Sequence, residues 1–188
     1  MQRGGWVMIP LLVLSVVGLG LIFERAWFWL RANHPGRTGR LHQIARHLRQ
    51  GDRSSVRALV ENDRTLYGRF VRQLLDEGAD EATAAEAVER QRPGMERFMP
   101  TLGTIITAAP MLGILGTVTG IITAFDMLES GSPEQIGAGI AEALLTTAAG
   151  LAIALVVLFP FNAYRAQIDR TLGRLETLIA AARSTSRP

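Results

Sequence analysis

Phe98 to Phe125 reads FMPTLGTIITAAPMLGILGTVTGIITAF, without one charged residue. A hydrocarbon core of roughly 30 Å takes about 20 residues at helical rise, so this run is long enough to cross a bilayer. Two further runs flank it. Trp6 to Phe23 is uncharged, and Ile136 to Tyr164 is broken only by Glu142. Burying three such runs inside a soluble fold of 188 residues would leave too little polar surface. The fold class predicted is therefore an all-α membrane protein with three transmembrane helices. The first run is long for a secretory signal and lacks an A-x-A-like cleavage site. It ends in Glu24-Arg25 and then Trp27-Phe28-Trp29, an interfacial anchor pattern, and is read as a retained span.

Arginine placement orients the spans. Fourteen arginines lie between Arg25 and Arg97, five between Arg165 and Arg187, and none between Asp126 and Ala138; only Arg3 precedes the first span. By the positive-inside asymmetry the N-terminus is outside and the C-terminus cytoplasmic. The expected divisions are a periplasmic stub (1–5), span one (6–28), a cytoplasmic helical domain (29–100), span two (101–126), a periplasmic loop (127–135), span three (136–164) and a cytoplasmic helical tail (165–188). The segment from 24 to 100 balances its arginines with eleven acidic residues. It reads as a solvated domain, and no nucleic-acid partner is expected.

Helical periodicity fills the polar parts. Leu41, Ile44, Ala45 and Leu48 make one apolar stripe, and Gly51-Asp52 breaks it, with Asp52 or Ser54 as the next cap. Val56, Leu59 and Val60 continue, then Tyr67, Phe70, Val71, Leu74 and Leu75 up to Gly78. Asp80 to Arg92 is rich in Ala and Glu, and Pro93-Gly94 is expected to interrupt it. Ile168, Leu172, Leu175 and Ile179 keep the pattern in the tail. A third helix unbroken from 136 to 182 would be roughly 70 Å long.

Several chemistries are excluded. There is no cysteine, hence no disulfide or thiolate. All twenty basic residues are arginine, so a Walker A lysine and a Schiff-base lysine are both missing. No GxSxG, HExxH or paired-carboxylate motif is present. His42 and His47 read as a solvated helix face. Neither an enzyme nor a cofactor is expected.

The second and third runs differ from the first in their small and hydroxyl residues. Ala109, Gly113, Gly116, Gly120 and Ala124 recur every three or four positions, as do Gly139, Ala143, Thr146, Gly150 and Ala154. Such spacing lets helices approach closely in a membrane. Thr117 lies fifteen residues before Ser132 and Thr147 fifteen after, so an antiparallel pair holds both at similar depth. Either they line a polar path, or each bonds back to its own helix at i−4. Glu142 is the one ionisable group inside the spans, and burying it costs at least ~2.5 kcal/mol. Three roles fit its position: proton or ion movement, pairing with a cation at an interface, or reaching outer water. It points about 140° away from Thr147 on the helix.

These residues carry a resemblance. Ala109 to Ile121 (APMLGILGTVTGI) and Gly139 to Leu151 (GIAEALLTTAAGL), with Phe161-Asn162 after it, strongly resemble the two signatures of the MotA/TolQ/ExbB proton-channel family. Gly4 to Pro10 and Glu24-Arg25 look similar too. Three spans with the N-terminus outside resemble the ExbB/TolQ type. The resemblance implies a homopentamer of long helices around a central pore. It implies a dimer of a single-span ExbD/TolR-like partner with a membrane Asp, and a TonB/TolA-like periplasm-spanning protein that receives the work. Membrane lipids are the remaining expected contact. It implies pore-lining or proton-pathway roles for Thr117, Thr147 and Glu142. Pro110, Gly113, Gly116, Gly120 and Gly150 would shape the helix packing, and Glu24, Arg25 and Asn162 would anchor the inner interface. The expected function is a proton-conducting stator subunit of an inner-membrane motor, the alternative a non-conducting scaffold packed through its Gly-rich hairpin. The departure from the pattern is Pro93-Gly94 with Pro100, below span two.

Overall fold

The computed structural model describes residues 6–32, 35–63, 65–126 and 133–184. These residues form seven helices and no strand: α1 (Met8–Ala32), α2 (Pro35–Arg49), α3 (Arg53–Val60), α4 (Leu66–Glu77), α5 (Glu81–Glu96), α6 (Met99–Asp126) and α7 (Pro133–Arg183). Gly4, Gly5 and Ser132, used in the reading above, lie outside the described residues. The helices α1, α6 and α7 are long and apolar enough to cross a membrane. The chain divides into two compact units, one of Met1–Arg25 with Phe98–Ala163, the other of Ala26–Arg97 with Tyr164–Pro188.

In the first unit α6 and α7 pack against each other through glycines, and α1 joins them. Val7, just before α1, and Leu11 of α1 are buried with Ala109 of α6, against Leu112, Ala149 and Ile153. A side chain at Gly18 would come within 3.1 Å of Val157 and 3.7 Å of Ile105, so α1 lies close to both partners there. Outside these seams the helices expose Ile9, Val16 and Phe23 on α1, Met111, Ile114 and Phe125 on α6, and Leu144, Leu155 and Phe159 on α7. So much exposed large apolar surface suits a hydrocarbon solvent and would be untenable in water.

The second unit is built like a soluble bundle. Val56, Val60, Phe70, Val71, Leu74, Leu175 and Leu178 are buried. Each of its middle helices starts on a side-chain cap. Asp52 accepts from the Ser55 backbone N–H at 3.1 Å, Thr65 from Gly68 at 3.3 Å, and Asp80 from Thr83 at 3.2 Å. The cap that begins α3 is thus Asp52, with the Ser54 hydroxyl donating to the same carboxylate at 2.7 Å. Helix α4 ends where the pattern places its end, at Gly78, whose φ of 104° is open to glycine and strained for other residues. Arg72 donates to the carbonyls of Val60 and Glu61 at 2.9 and 2.8 Å, closing the end of α3. Buried Tyr67 accepts from Arg174 at 3.2 Å, tying α4 to the tail of α7.

The expected break at Pro93-Gly94 is not where the chain breaks. α5 runs through Pro93 to Glu96. Proline removes one hydrogen bond, that to the Glu89 carbonyl, and only the last turn lies beyond it. Arg92 bridges this point, paired with Glu89 at 3.1 Å and Glu96 at 3.0 Å. The helix ends at Glu96, and the chain turns at Phe98, whose φ of 65° is left-handed. Pro100 sits in the first turn of α6, where its missing N–H costs nothing.

Hydrogen bonds from Ser55 first, then from Ser54, and the nearby His47 hold the Asp52 carboxyl below the usual carboxylate range. A depressed folded pKa gives stability that is present above the unfolded value of about 3.9 and is lost as pH falls through the folded one. We predict that Asp52→Ala lowers the thermal midpoint of the detergent-solubilised chain at neutral pH. The difference from the parent, followed by far-UV circular dichroism, should shrink in strong acid.

Candidate functional site

Three glycines of α6 and one of α7 set the distance between these helices. An added Cβ at Gly113 would lie 2.9 Å from the Thr146 carbonyl oxygen and from Thr147 Cα. At Gly116 it would lie 2.8 Å from Thr146 Cβ, at Gly120 2.6 Å from Ala143 Cβ, and at Gly150 it would strike the Ala109 carbonyl oxygen. Real Cβ atoms do not tolerate such separations, so the absence of side chains here is what lets the two backbones meet. The Ala109 carbonyl adjoins Pro110, a half-buried residue within α6 that leaves the Ile106 carbonyl without its helical donor.

Around the Gly113 carbonyl this proximity gathers three hydroxyls. Thr117 Oγ1 lies 3.2 Å from the oxygen, Thr146 Oγ1 3.1 Å and Thr147 Oγ1 2.9 Å. Thr117 Oγ1 also reaches the Ala143 carbonyl at 3.2 Å and contacts Thr147 Oγ1 directly. Thr146 Oγ1 donates to the Ala143 carbonyl at 2.7 Å. Each hydroxyl has one proton to give and can accept as well. Three protons are thus shared among two carbonyl oxygens and the hydroxyls themselves. The donors can be exchanged by rotating O–H bonds, with every heavy atom in place. Such a cluster can pass a proton or solvate a cation without a titratable group of its own.

Back-bonding and cross-bonding sort the threonines of α6. Thr104, Thr119 and Thr123 donate to their own i−4 carbonyls at 3.0, 2.9 and 3.0 Å. Thr117 combines that bond with contacts to α7, and Thr147 bonds across the helix pair. Thr146, read from the sequence only as one of a row of small residues, is the most enclosed of the three at 2% exposed. The signal that could have found it is Gly116, whose missing side chain makes room for it. Glu142 is half-buried one turn before Thr146 on α7, on a face nearer to Thr146 than to Thr147.

The other predicted anchors separate. Arg25 is 2% exposed; its Nη2 donates to Glu24 Oε1 at 2.7 Å and its guanidinium carbon lies 5.6 Å from the centre of the Phe98 ring. Phe98, unremarked in the sequence, thereby becomes a partner of this pair. Asn162 is exposed on α7. No cluster of three or more metal-ligating side chains occurs among the described residues.

Three apolar spans and a hydroxyl-bearing helix pair define a multi-pass helical membrane protein with a polar seam inside its hydrocarbon-facing unit. The model of the MotA/TolQ/ExbB proton channel family matches residues 51–177. Two Synechocystis sp. proteins that carry the name ExbB-like are similar over most of the chain. ExbB-like 1 is 38% identical over 179 residues, covering 85% of this chain and 67% of the relative. ExbB-like 3 is 33% identical over 186 residues, covering 93% and 88%. The Tol-Pal system protein TolQ of Pseudomonas aeruginosa is 33% identical over 94 residues, covering 48% of this chain and 41% of TolQ. The chain belongs to the MotA/TolQ/ExbB proton channel family.

Enlarging a contact glycine should therefore cost more than deleting a hydroxyl. Gly113→Val forces a side chain into backbone, an overpacking worth about 1–3 kcal/mol. Thr146→Val keeps the shape and loses hydrogen bonds worth about 0.6 kcal/mol on average in membranes. Equilibrium unfolding in mixed detergent micelles should rank them in that order.

Proposed function

We propose that this chain is the conducting stator subunit of an inner-membrane motor that turns a proton gradient into work on a periplasm-spanning protein. The single observation that carries this reading is the exchangeable hydroxyl cluster of Thr117, Thr146 and Thr147 on the Gly113 carbonyl, in a chain of the proton-channel family. Arginine placement supports an N-terminus outside and a C-terminus inside, with spans near 6–28, 101–126 and 136–164.

In this reading several copies, expected as a pentamer, surround a pore. A dimer of single-span partners brings a carboxyl group into it. That carboxyl is carried past apolar wall when protonated and meets the threonine seam when it must exchange its proton. Thr117 and Thr147, half-buried in one protomer, face the exchange point, while Thr146 holds Gly113 and Ala143 in register behind them. Glu142 serves the outer half of the path, between the seam and the periplasmic side. Glu24 and Arg25 fix the inner end of span one. The driving force is about 2.3 kcal/mol per charge per 100 mV. The names of the relatives support biopolymer transport or envelope maintenance as the work done.

The glycine contacts favour a second reading, in which the α6–α7 pair only packs and the chain is a non-conducting scaffold. Flux decides between them. In liposomes holding the chain and its single-span partner, Thr147→Val combined with Glu142→Gln should cut partner-dependent proton flux at least about tenfold, the scale of 1.4 kcal/mol on the barrier. The complex should still assemble. Parent-like flux in this double variant would remove the site assignment. If no flux occurs in the parent under any gradient, the scaffold reading stands.

A further inference from the structure

Beyond the third apolar run α7 continues as one helix to Arg183. Its charged side chains there fall into two groups. Arg174 donates to the Tyr67 hydroxyl at 3.2 Å, and Arg183 pairs with Glu81 at 3.4 Å. Arg165, Asp169, Arg170 and Glu176 are exposed and form no ion pair among the described residues. The arginines of α3 and α5 contrast with them, since Arg57, Arg90 and Arg92 each find a carboxylate within the chain.

Helical geometry sorts the unpaired charges into two flanks. Ile168, Thr171, Leu175 and Leu178 are buried. Measured from the direction of Asp169 at 100° per residue, these four lie about 100° to 180° round to one side. Glu176 lies about 20° towards that side, and Arg170 about 100° the other way. The outward face thus has an acidic flank of Asp169 and Glu176 and a basic flank of Arg170. Arg165 stands about 40° beyond Asp169, one turn earlier, so the acidic flank is headed by a cation. Between the flanks a Cβ on Gly173 would meet nothing within 4 Å, so no other part of the described chain covers the helix there.

We infer that this face packs against the same stretch of a second copy of the chain, with Arg170 of one copy on Asp169 of the next. Charge complementarity selects this occupant. Copies inserted through the same spans run parallel and sit at the same depth, so each residue meets residues of its own level. Asp169 and Arg170 differ by about 1.5 Å along the axis. Two parallel helices packed side by side turn opposite flanks to each other, so the basic flank of one copy meets the acidic flank of its neighbour. The guanidinium and carboxylate can then pair through two parallel N–H···O bonds. A polyanion would suit Arg170 and be repelled by Asp169 and Glu176; a second copy satisfies both flanks. The contact rests on the reading in which several copies assemble, and adds to it the surface by which their tails meet.

The absence of cysteine permits a clean probe. Full chains carrying Asp169→Cys and full chains carrying Arg170→Cys are produced separately and together, and the membranes are oxidised with copper phenanthroline. The mixture should give a disulfide-linked dimer in several-fold excess over either variant alone, because only unlike flanks meet. Ala85→Cys, at an exposed position of α5, sets the background of random collision. The energetic arm is charge reversal, read by native mass spectrometry of the detergent-solubilised chain on dilution. Arg170→Asp should raise the concentration of half-dissociation by roughly 1.4- to 5-fold per contact, the range of exposed ion pairs. Asp169→Arg combined with Arg170→Asp should return it to the parent value, with helix content unchanged throughout. An oligomer that shows no mixed cross-link above background overturns the contact and leaves assembly standing. A parent chain that is monomeric in the same spectra removes the assembly reading as well. A swap variant as weak as Arg170→Asp alone overturns the pairing, and cross-linking to a different protein instead of a second copy reassigns the face.

Discussion

The first unit depends on the approach of two helix backbones around Gly113. In hydrocarbon the lipid tails are as apolar as leucine, so burying more leucine gives no advantage; close packing and hydrogen bonds have to hold the helices together. Gly113, Gly116, Gly120 and Gly150 provide the first directly, by leaving no Cβ in the way. They provide the second indirectly, since the Gly113 carbonyl is reachable by Thr146 and Thr147 only because α7 comes so near. Packing and polar chemistry are here the same feature. Widening the gap by one methyl group would loosen the fold and disperse the hydroxyls together.

The hydroxyl cluster differs from a hydrated pore in one respect. Its groups are neutral at any physiological pH, so enclosing them carries a far smaller desolvation penalty than enclosing a carboxylate. They keep the interior of the helix pair polar without an ionised group at its centre. The ionisable member of the region, Glu142, is a turn away from this centre and only half-buried.

What could be read from the sequence follows the strength of the physical constraint. The three membrane helices were legible because bilayer thickness dictates a minimum apolar length, and nothing in a soluble fold imitates it. The equal depth of Thr117 and Thr147 follows from symmetry about the turn, and the two meet across the helices. Thr146 was not legible as a site residue, because which of two adjacent threonines turns inward depends on helix rotation. That rotation is fixed by contacts far apart in the chain, Gly116 opposite Thr146 and Gly120 opposite Ala143. Pro93 reads as a break in the sequence, and is none in α5, for a related reason. A proline penalises a helix locally, and Arg92 pairing with both Glu89 and Glu96 acts across it.

Phe98 carries a backbone angle that glycine would adopt freely and that disfavours any residue with a Cβ by about 1–2 kcal/mol. Selection for an easy turn would have placed glycine or asparagine there. The phenylalanine instead supplies a π-face to Arg25, a charge withdrawn almost entirely from solvent. The position is therefore one where backbone comfort has been given up for a side chain, and its freedom to vary is tied to that of Arg25. The two side chains are therefore coupled, and replacing Arg25 removes one of the contacts that accompany the strained backbone of Phe98.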